Sequence, residues 1–444
     1  MNFLMQMVTI MISAVMAMSW PVVSVWKEKA LLPEKPDSTA NLPVAEQTWQ
    51  RAQVLSKSYY RQFYFTTVRT RLSFHPCSLE NASCWEYIGL ISLTYKMALA
   101  DASRLNKTAE TYLEKMDGVL EGLRHYRKEI DGKFAGYVVP RSDRKEGTDS
   151  DGIAFDDNMW LGRDFVSLYE LSGDEKYLTL ANEIADYLIA KAYVPLPAAL
   201  FADKGLEVRN EEVGGFYWDH RCDAVHTCST GPAAQFLAAL YRVGGNETYL
   251  KYAKAGYNFL SYLENDEGVF HDLMRFEKDA ENNITAIGGP DRTSYAYNSG
   301  SPITAAVELY RVTNEQKYLD DAIHWAQSAD AYFAKDSAVP GVKAYPVHTT
   351  TWFNLILLNG YTALYPYWNG VLPFIENMRG SIDYAYENHR TKGIGPWNKN
   401  ILPRDWVGGF PEDDGFRAWA LDVSAAAEIY ATLHVFYAEN EGKI

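Results

Sequence analysis

Cysteine is scarce in this chain: there are four in 444 residues, at positions 77, 84, 222 and 228. None falls in the C-x2-C spacing of a structural zinc site, and the neighbouring His75, His220 and His226 complete no known ligand pattern, so no metal and no cofactor is expected. Long apolar runs are also missing. The stretch Met7 to Met18 is too short to span a bilayer, which takes roughly 20 apolar residues, and Asn440 to Ile444 forms no hydrophobic tail, so no integral membrane segment is expected. Positive charge is in deficit, with 42 Lys and Arg against 57 Asp and Glu, a formal net charge of −15. With no Lys/Arg cluster to offset it, this balance argues against nucleic acid or an anionic membrane and points to an uncharged or cationic partner.

The Met7 to Met18 run ends in small residues around Ala17 and Ser19 and fits the apolar core of a secretory signal, although a basic segment before it is lacking. An exported protein is therefore expected, with a signal over 1–19 and a linker over 20–45. In that setting Cys77 is expected to pair with Cys84 and Cys222 with Cys228, each as a local loop staple. The sequons at Asn81, Asn106, Asn246 and Asn283 matter only on a eukaryotic secretory route.

What the chain has in abundance is a repeat. Leu168-Tyr169-Glu170-Leu171-Ser172-Gly173-Asp174-Glu175-Lys176-Tyr177-Leu178 recurs from Leu240 to Leu250 and again from Leu309 to Leu319, the tyrosines at 169, 241 and 310 lying 72 and 69 residues apart. Each copy reads as one helix, a polar turn that supplies an N-cap, and a second helix. Extended along the chain, the pattern gives about twelve helices, alternately apolar all round and apolar on one face. Inner helices are expected to begin near Cys84, Phe155, Ser229, Asn298, Thr350 and Gly415. Outer ones are expected near Glu46, Thr108, Asp174, Glu247, Glu315 and Val371. Such arrays run as open solenoids or close on themselves. The long segments Lys133 to Ala154, Val194 to Thr227 and Phe270 to Tyr297 favour closure, hence an all-α (α/α)6 toroid over 46–440 with its site where these loops enter the inner helices.

One of those entries is Phe155-Asp156-Asp157-Asn158-Met159-Trp160. Adjacent aspartates at a helix start are most often caps. Glycoside chemistry, however, needs two nearby carboxyls, one protonated for the leaving oxygen and one ionised toward the sugar. At an inner-helix N-terminus the free N–H groups favour an ionised Asp156, while like charge and aromatic burial favour a protonated Asp157. Counting twelve residues back from the repeat tyrosines places Ser229 and Asn298 in register with Asp157. Thr230 and Asn298 are candidate ligands for sugar hydroxyls, and Tyr217, Trp218 and Tyr297 are candidate stacking surfaces. Ser, Thr and Asn at helix starts are also ordinary caps, and aromatic residues ordinary core. Asp219, Asp291, Asp413 and Asp414 are read as solvated or capping.

Together with Gly214-Gly215-Phe216-Tyr217-Trp218, Ser229-Thr230-Gly231-Pro232 and Tyr297-Asn298-Ser299-Gly300, the aspartate pair resembles family 76 of the glycoside hydrolases, the endo-α-1,6-mannanases, over about residues 46 to 440. The resemblance implies a toroid that cleaves α-1,6-linked mannan with retention, Asp156 as nucleophile and Asp157 as acid/base. The implied partner is an α-mannan polysaccharide or oligosaccharide, and the implied state is a monomer. The family more often shows Trp-Trp after the paired glycines, Asn before the Gly-Pro and Gln at the position of Ser299, differences that bear on subsites. Two alternatives stay open. An unsaturated glucuronyl hydrolase would need basic residues in the pocket, for which the loops offer Arg221, Arg292 and Arg404. A wall mannan transglycosylase or glycan-binding protein would use the same frame.

Overall fold

The computed structural model describes residues 42–444, except 66–70, 74, 76–80, 106–109, 131, 140–151, 153, 198, 203–211, 282, 348–349, 394–398 and 412–417. The expected signal, nearly all of the linker, and Cys77 lie outside the described residues. The fold is all-α with small sheets in the connections. Twelve helices of thirteen residues or more are found among the described residues. In chain order they are α1 (Val44–Phe63), α2 (Cys84–Leu105), α3 (Glu110–Leu123), α4 (Phe155–Ser172), α5 (Glu175–Lys191), α6 (Thr227–Gly244), α7 (Glu247–Leu260), α8 (Ala296–Thr313), α9 (Gln316–Phe333), α10 (Trp352–Leu364), α11 (Leu372–Asn388) and α12 (Ala420–Glu439).

The even-numbered helices are the buried ones. In α12 every residue from Ala420 to Tyr437 is buried, whereas α9 buries Tyr318, Leu319, Ala322, Trp325, Ala326, Ala329 and Phe333, a single stripe at three- and four-residue steps. Each even-numbered helix packs on the next, from α2 to α12, and α12 packs back on α2. The odd-numbered helices back them, α3 on α2, α5 on α4, α7 on α6, α9 on α8, α11 on α10, and α1 on α12. Small residues permit the closest approaches: a Cβ at Gly300 of α8 would meet the Ile356 carbonyl oxygen of α10 at 2.3 Å.

The repeated motif is the turn between an inner helix and its outer partner. Gly173, Gly245 and Asn314 adopt left-handed conformations at φ 67°, 71° and 57°, and their N–H groups bond to the carbonyls of Tyr169, Tyr241 and Tyr310. Glycine and asparagine suit that position because other side chains clash there. Asp174 and Asn246 then cap the following helices, accepting from the N–H of Lys176 and Thr248 at 3.0 Å. The repeat tyrosines close the turns, Tyr169 and Tyr241 donating to Glu175 and Glu247.

Two corrections to the sequence reading follow. The segments read as long site-forming loops contain strands: Tyr193–Pro195 pairs with Gly214–Phe216, and Ala224–His226, Leu273–Lys278 and Ile284–Asp291 form a three-stranded antiparallel sheet. Second, Cys84, Cys222 and Cys228 are all free thiols, so neither expected disulfide forms. Cys84 opens α2 with its side chain fully buried. The strand Ala224–His226 lies between Cys222 and Cys228, and at about 3.3 Å per residue it carries the two beyond the roughly 4.4–6.8 Å Cα separation that a disulfide spans. No helix among the described residues is long and apolar enough to cross a membrane.

Candidate active site

The site is built around the start of α4. Ala154, extended and lacking a capping side chain, bridges to Asp219, and the Phe155 N–H donates to the Trp218 carbonyl at 2.7 Å. The segment after Gly214–Phe216 is thereby laid across the helix end. On the other side Asn158 clamps the strand Phe134–Tyr137: its Oδ1 accepts from the Tyr137 N–H at 2.7 Å, and its Nδ2 donates to the carbonyls of Tyr137 and Ala154 at 3.0 Å. These bonds fix the first turn of α4, and with it Asp156 and Asp157, against a cavity of about 400 Å3.

The cavity has aromatic walls and an acidic floor. Trp85, Trp160, Trp218, Tyr295, Tyr297, Trp352 and Phe353 line it together with Asp156, Asp157 and Asp272. Tyr297 stacks on Phe353 with ring centroids 3.9 Å apart and planes 12° apart, and Trp160 meets Trp352 edge-on at 4.8 Å. No lysine or arginine lines the cavity among the described residues. His226 does, 5.7 Å from the Trp218 ring, and burial lowers its pKa to about 4, so it is neutral above that pH.

The two aspartates differ in environment. Asp157 is 6% exposed; burial, then the charges of Asp156 and Glu86, push its pKa well above the carboxylate range. Asp156 is partly accessible. Burial raises it too, to about 7, and Asp219 adds repulsion, but the Trp218 side chain and the N–H groups of Asp156 and Asp157 oppose the rise by stabilising its charged form. Its Oδ1 is buried and makes no hydrogen bond to the described residues. Asp157 is thus the better proton reservoir and Asp156 the better anion.

Of the other sequence candidates, the structure brings Trp218, 37% exposed, and Tyr297 to the cavity. Tyr217 and Thr230 do not line it. Tyr217 is 8% exposed, its backbone bridges to Val225, and its ring carries the Lys278 ammonium at 5.0 Å. Thr230 is buried and its Oγ1 accepts from the Phe216 N–H, tying α6 to the glycine strand. Asn298 sits behind the wall, its Nδ2 donating at 2.9 Å to Asp272, whose carboxylate does line the cavity. Asp219 pairs with Arg221, Asp291 caps the Thr293 N–H and hydroxyl, and Asp413 and Asp414 lie outside the described residues.

The repeat register was off by one. Thirteen residues before Tyr169, Tyr241 and Tyr310 stand Asp156, Cys228 and Tyr297, and all three line the cavity; Ser229 and Asn298 do not. Asp272, Cys228 and the Trp352-Phe353 pair were missed, although Cys228 follows from the correct register.

A pair of adjacent carboxyls in unlike surroundings, facing an aromatic-walled cavity with no lysine or arginine in its described lining, is the equipment of an enzyme acting on neutral glycans. The chain belongs to glycosyl hydrolase family 76, whose family model matches residues 97–377. No curated protein matches it. Among solved structures it resembles a family 76 mannosidase from Bacteroides thetaiotaomicron, with TM-score 0.73, 23% identity, and 89% of this chain and 100% of that one covered. It also resembles the α-1,6-mannanase of Salegentibacter sp., with TM-score 0.65, 20% identity and coverage of 88% and 99%. An inactive variant of that enzyme, in which two adjacent aspartates are replaced by asparagine, is solved with α-1,6-mannotriose. Dfg5 from Chaetomium thermophilum, in complex with glucosamine, aligns at TM-score 0.58 and 16% identity over 89% of this chain and 91% of that one.

Proposed function

We propose that this protein is an exported hydrolase of α-1,6-mannosidic linkages, working with retention of configuration inside a closed (α/α)6 toroid. The return of α12 onto α2 supports the toroid. The observation that carries the chemistry is the Asp156–Asp157 pair at the start of α4, both lining the cavity, one carboxyl with an oxygen that has no hydrogen-bond partner among the described residues and the other held protonated by burial and like charge. In the first step Asp157 gives its proton to the glycosidic oxygen while Asp156 attacks the anomeric carbon, forming a glycosyl ester and releasing the leaving sugar. In the second step Asp157, now a carboxylate, takes a proton from water, which attacks the same carbon and frees Asp156. Two inversions leave the configuration retained.

The absence of lysine and arginine from the described lining favours a neutral sugar over a uronic acid, and Arg404, bonded to Asp422 at 2.6 Å, is engaged elsewhere. The loss of activity in the Salegentibacter double-aspartate variant, solved with a mannan oligosaccharide, supports the same assignment. Transfer to a second sugar instead of water is the competing reading, favoured by the likeness to Dfg5; it uses the same two carboxyls. Product analysis on linear α-1,6-mannan, alone and with an added acceptor oligosaccharide, separates them: shorter mannan oligosaccharides are expected, elongated acceptors alone would favour transfer, and no product in either case would refute both.

A further inference from the structure

Behind Asp157 lies a third buried carboxylate. Glu86, in the first turn of α2, is 1% exposed and does not line the cavity. It receives three hydrogen bonds: the N–H and hydroxyl of Ser83 reach Oε2 at 2.6 and 2.5 Å, and the Trp419 indole reaches Oε1 at 2.7 Å. Three donors converging on it at a helix N-terminus hold its carboxyl in place. We propose that Glu86 is a positioning residue that acts through Asp157, its fixed negative charge keeping the general acid protonated until a leaving-group oxygen takes the proton. This rests on the role proposed above for Asp157.

The other groups around Asp157 leave that task to Glu86 and Asp156. From α4 it faces Asp156, which is flanked by Asp219 from the loop before α6. From α2 come Glu86 and Cys84, a thiol that burial and the charges of Asp157, Glu86 and Asp156 push well up. On the cavity's other walls His226 is neutral, burial and nearby carboxylates raise the Cys228 thiol and the Tyr297 phenol, and Asp272 is bonded to Asn298.

A purely structural Glu86, closing a capping box with Ser83 and tying α12 to α2 through Trp419, would lower stability when replaced without moving the titration of Asp157. The test reads that titration without substrate. The stability difference between wild type and Asp157→Asn, followed against pH, reports the Asp157 midpoint; the same difference is measured in a Glu86→Gln background. The midpoint is expected to fall by about one pH unit, as a like charge at short range implies, and an unchanged midpoint overturns the proposal. Should Glu86→Gln not fold, carboxyl 13C NMR of the wild type decides: at pH 6 Glu86 should be ionised while Asp157 is protonated, and a protonated Glu86 there overturns the idea. In kinetics the alkaline limb of kcat/KM should move down in Glu86→Gln and return in Glu86→Asp. A wild type that leaves mannan intact would defeat the functional reading, whereas the substrate-free midpoint judges Glu86 by itself.

Discussion

At the residue scale the account separates two aspartates that stand side by side in the chain. Asp156→Ala should lose activity on every substrate, because it removes the proposed nucleophile. Asp157→Ala should release the aryl group of an activated aryl α-mannoside in a rapid first step, since that leaving group needs no proton, and then turn over slowly unless added azide replaces the missing base, while losing roughly 100-fold or more on mannan. Equal losses on both substrates in both variants would contradict the division of roles. The pH profile should follow the pair. Activity falls below about pH 7 as Asp156 takes up a proton, and falls again at higher pH as Asp157 loses its own. The stability consequence has the opposite sense to that of a salt-bridged carboxylate. Both folded pKa values lie above the unfolded value, so the pair's contribution is complete below about pH 4 and is lost as pH rises through 7. Replacing both with asparagine should therefore stabilise the protein at pH 8, by roughly 1–3 kcal/mol, and change little at pH 4. Urea titrations at the two pH values check this.

At the scale of the element, the helical hairpins were largely legible because their turns carry a chemical signature. A left-handed glycine or asparagine, a capping Asp or Asn and a closing tyrosine mark the same spot each time. The expected inner starts at Cys84 and Phe155 are the observed ones; Ser229, Asn298 and Thr350 were within two residues, and Gly415 was five short of Ala420. The strands were less legible, although Met274-Arg275-Phe276-Glu277 alternates buried and exposed as a half-buried strand does. The site suffered from a subtler ambiguity. Successive residues on a helix point about 100° apart, so an error of one in register exchanges a cavity position for a core position, and an adjacent aspartate pair does not say which member sets the register. Glu86 and Asp272 were invisible for another reason: their importance comes from burial beside groups distant in the chain. Packing at α8 gives the prediction at this scale. Gly300→Ala should cost about 1–3 kcal/mol, as overpacking does, because its Cβ would meet the α10 backbone; Gly380→Ala, inside α11 with open space at its Cβ, should instead stabilise by roughly 0.5–1 kcal/mol in the same thermal melt.

For the whole molecule, the two ends of the described chain are joined by a buried charge network. Arg51 of α1 is bonded to Asp383 at 2.5 Å and Glu387 at 2.6 Å, both on α11, and Tyr430 of α12 donates to Asp383 at 3.0 Å. Removing one partner of a buried pair typically costs about 3–5 kcal/mol because the other charge is left unsatisfied. Arg51→Ala should fall at the low end, since Arg379 still reaches Asp383 at 3.0 Å. A denaturant midpoint unchanged in Arg51→Ala would mean that the network does not hold the terminal helices together.

The central claim is that Asp156 becomes covalently bonded to the sugar, and trapping that bond tests it most directly. Asp157→Ala, incubated with an activated aryl α-mannoside and quenched in acid, should gain the mass of one mannosyl unit, and peptide mapping should place it on Asp156. A label on Asp272 or any other residue, or turnover of the activated substrate with inversion and no labelled protein, would contradict the account.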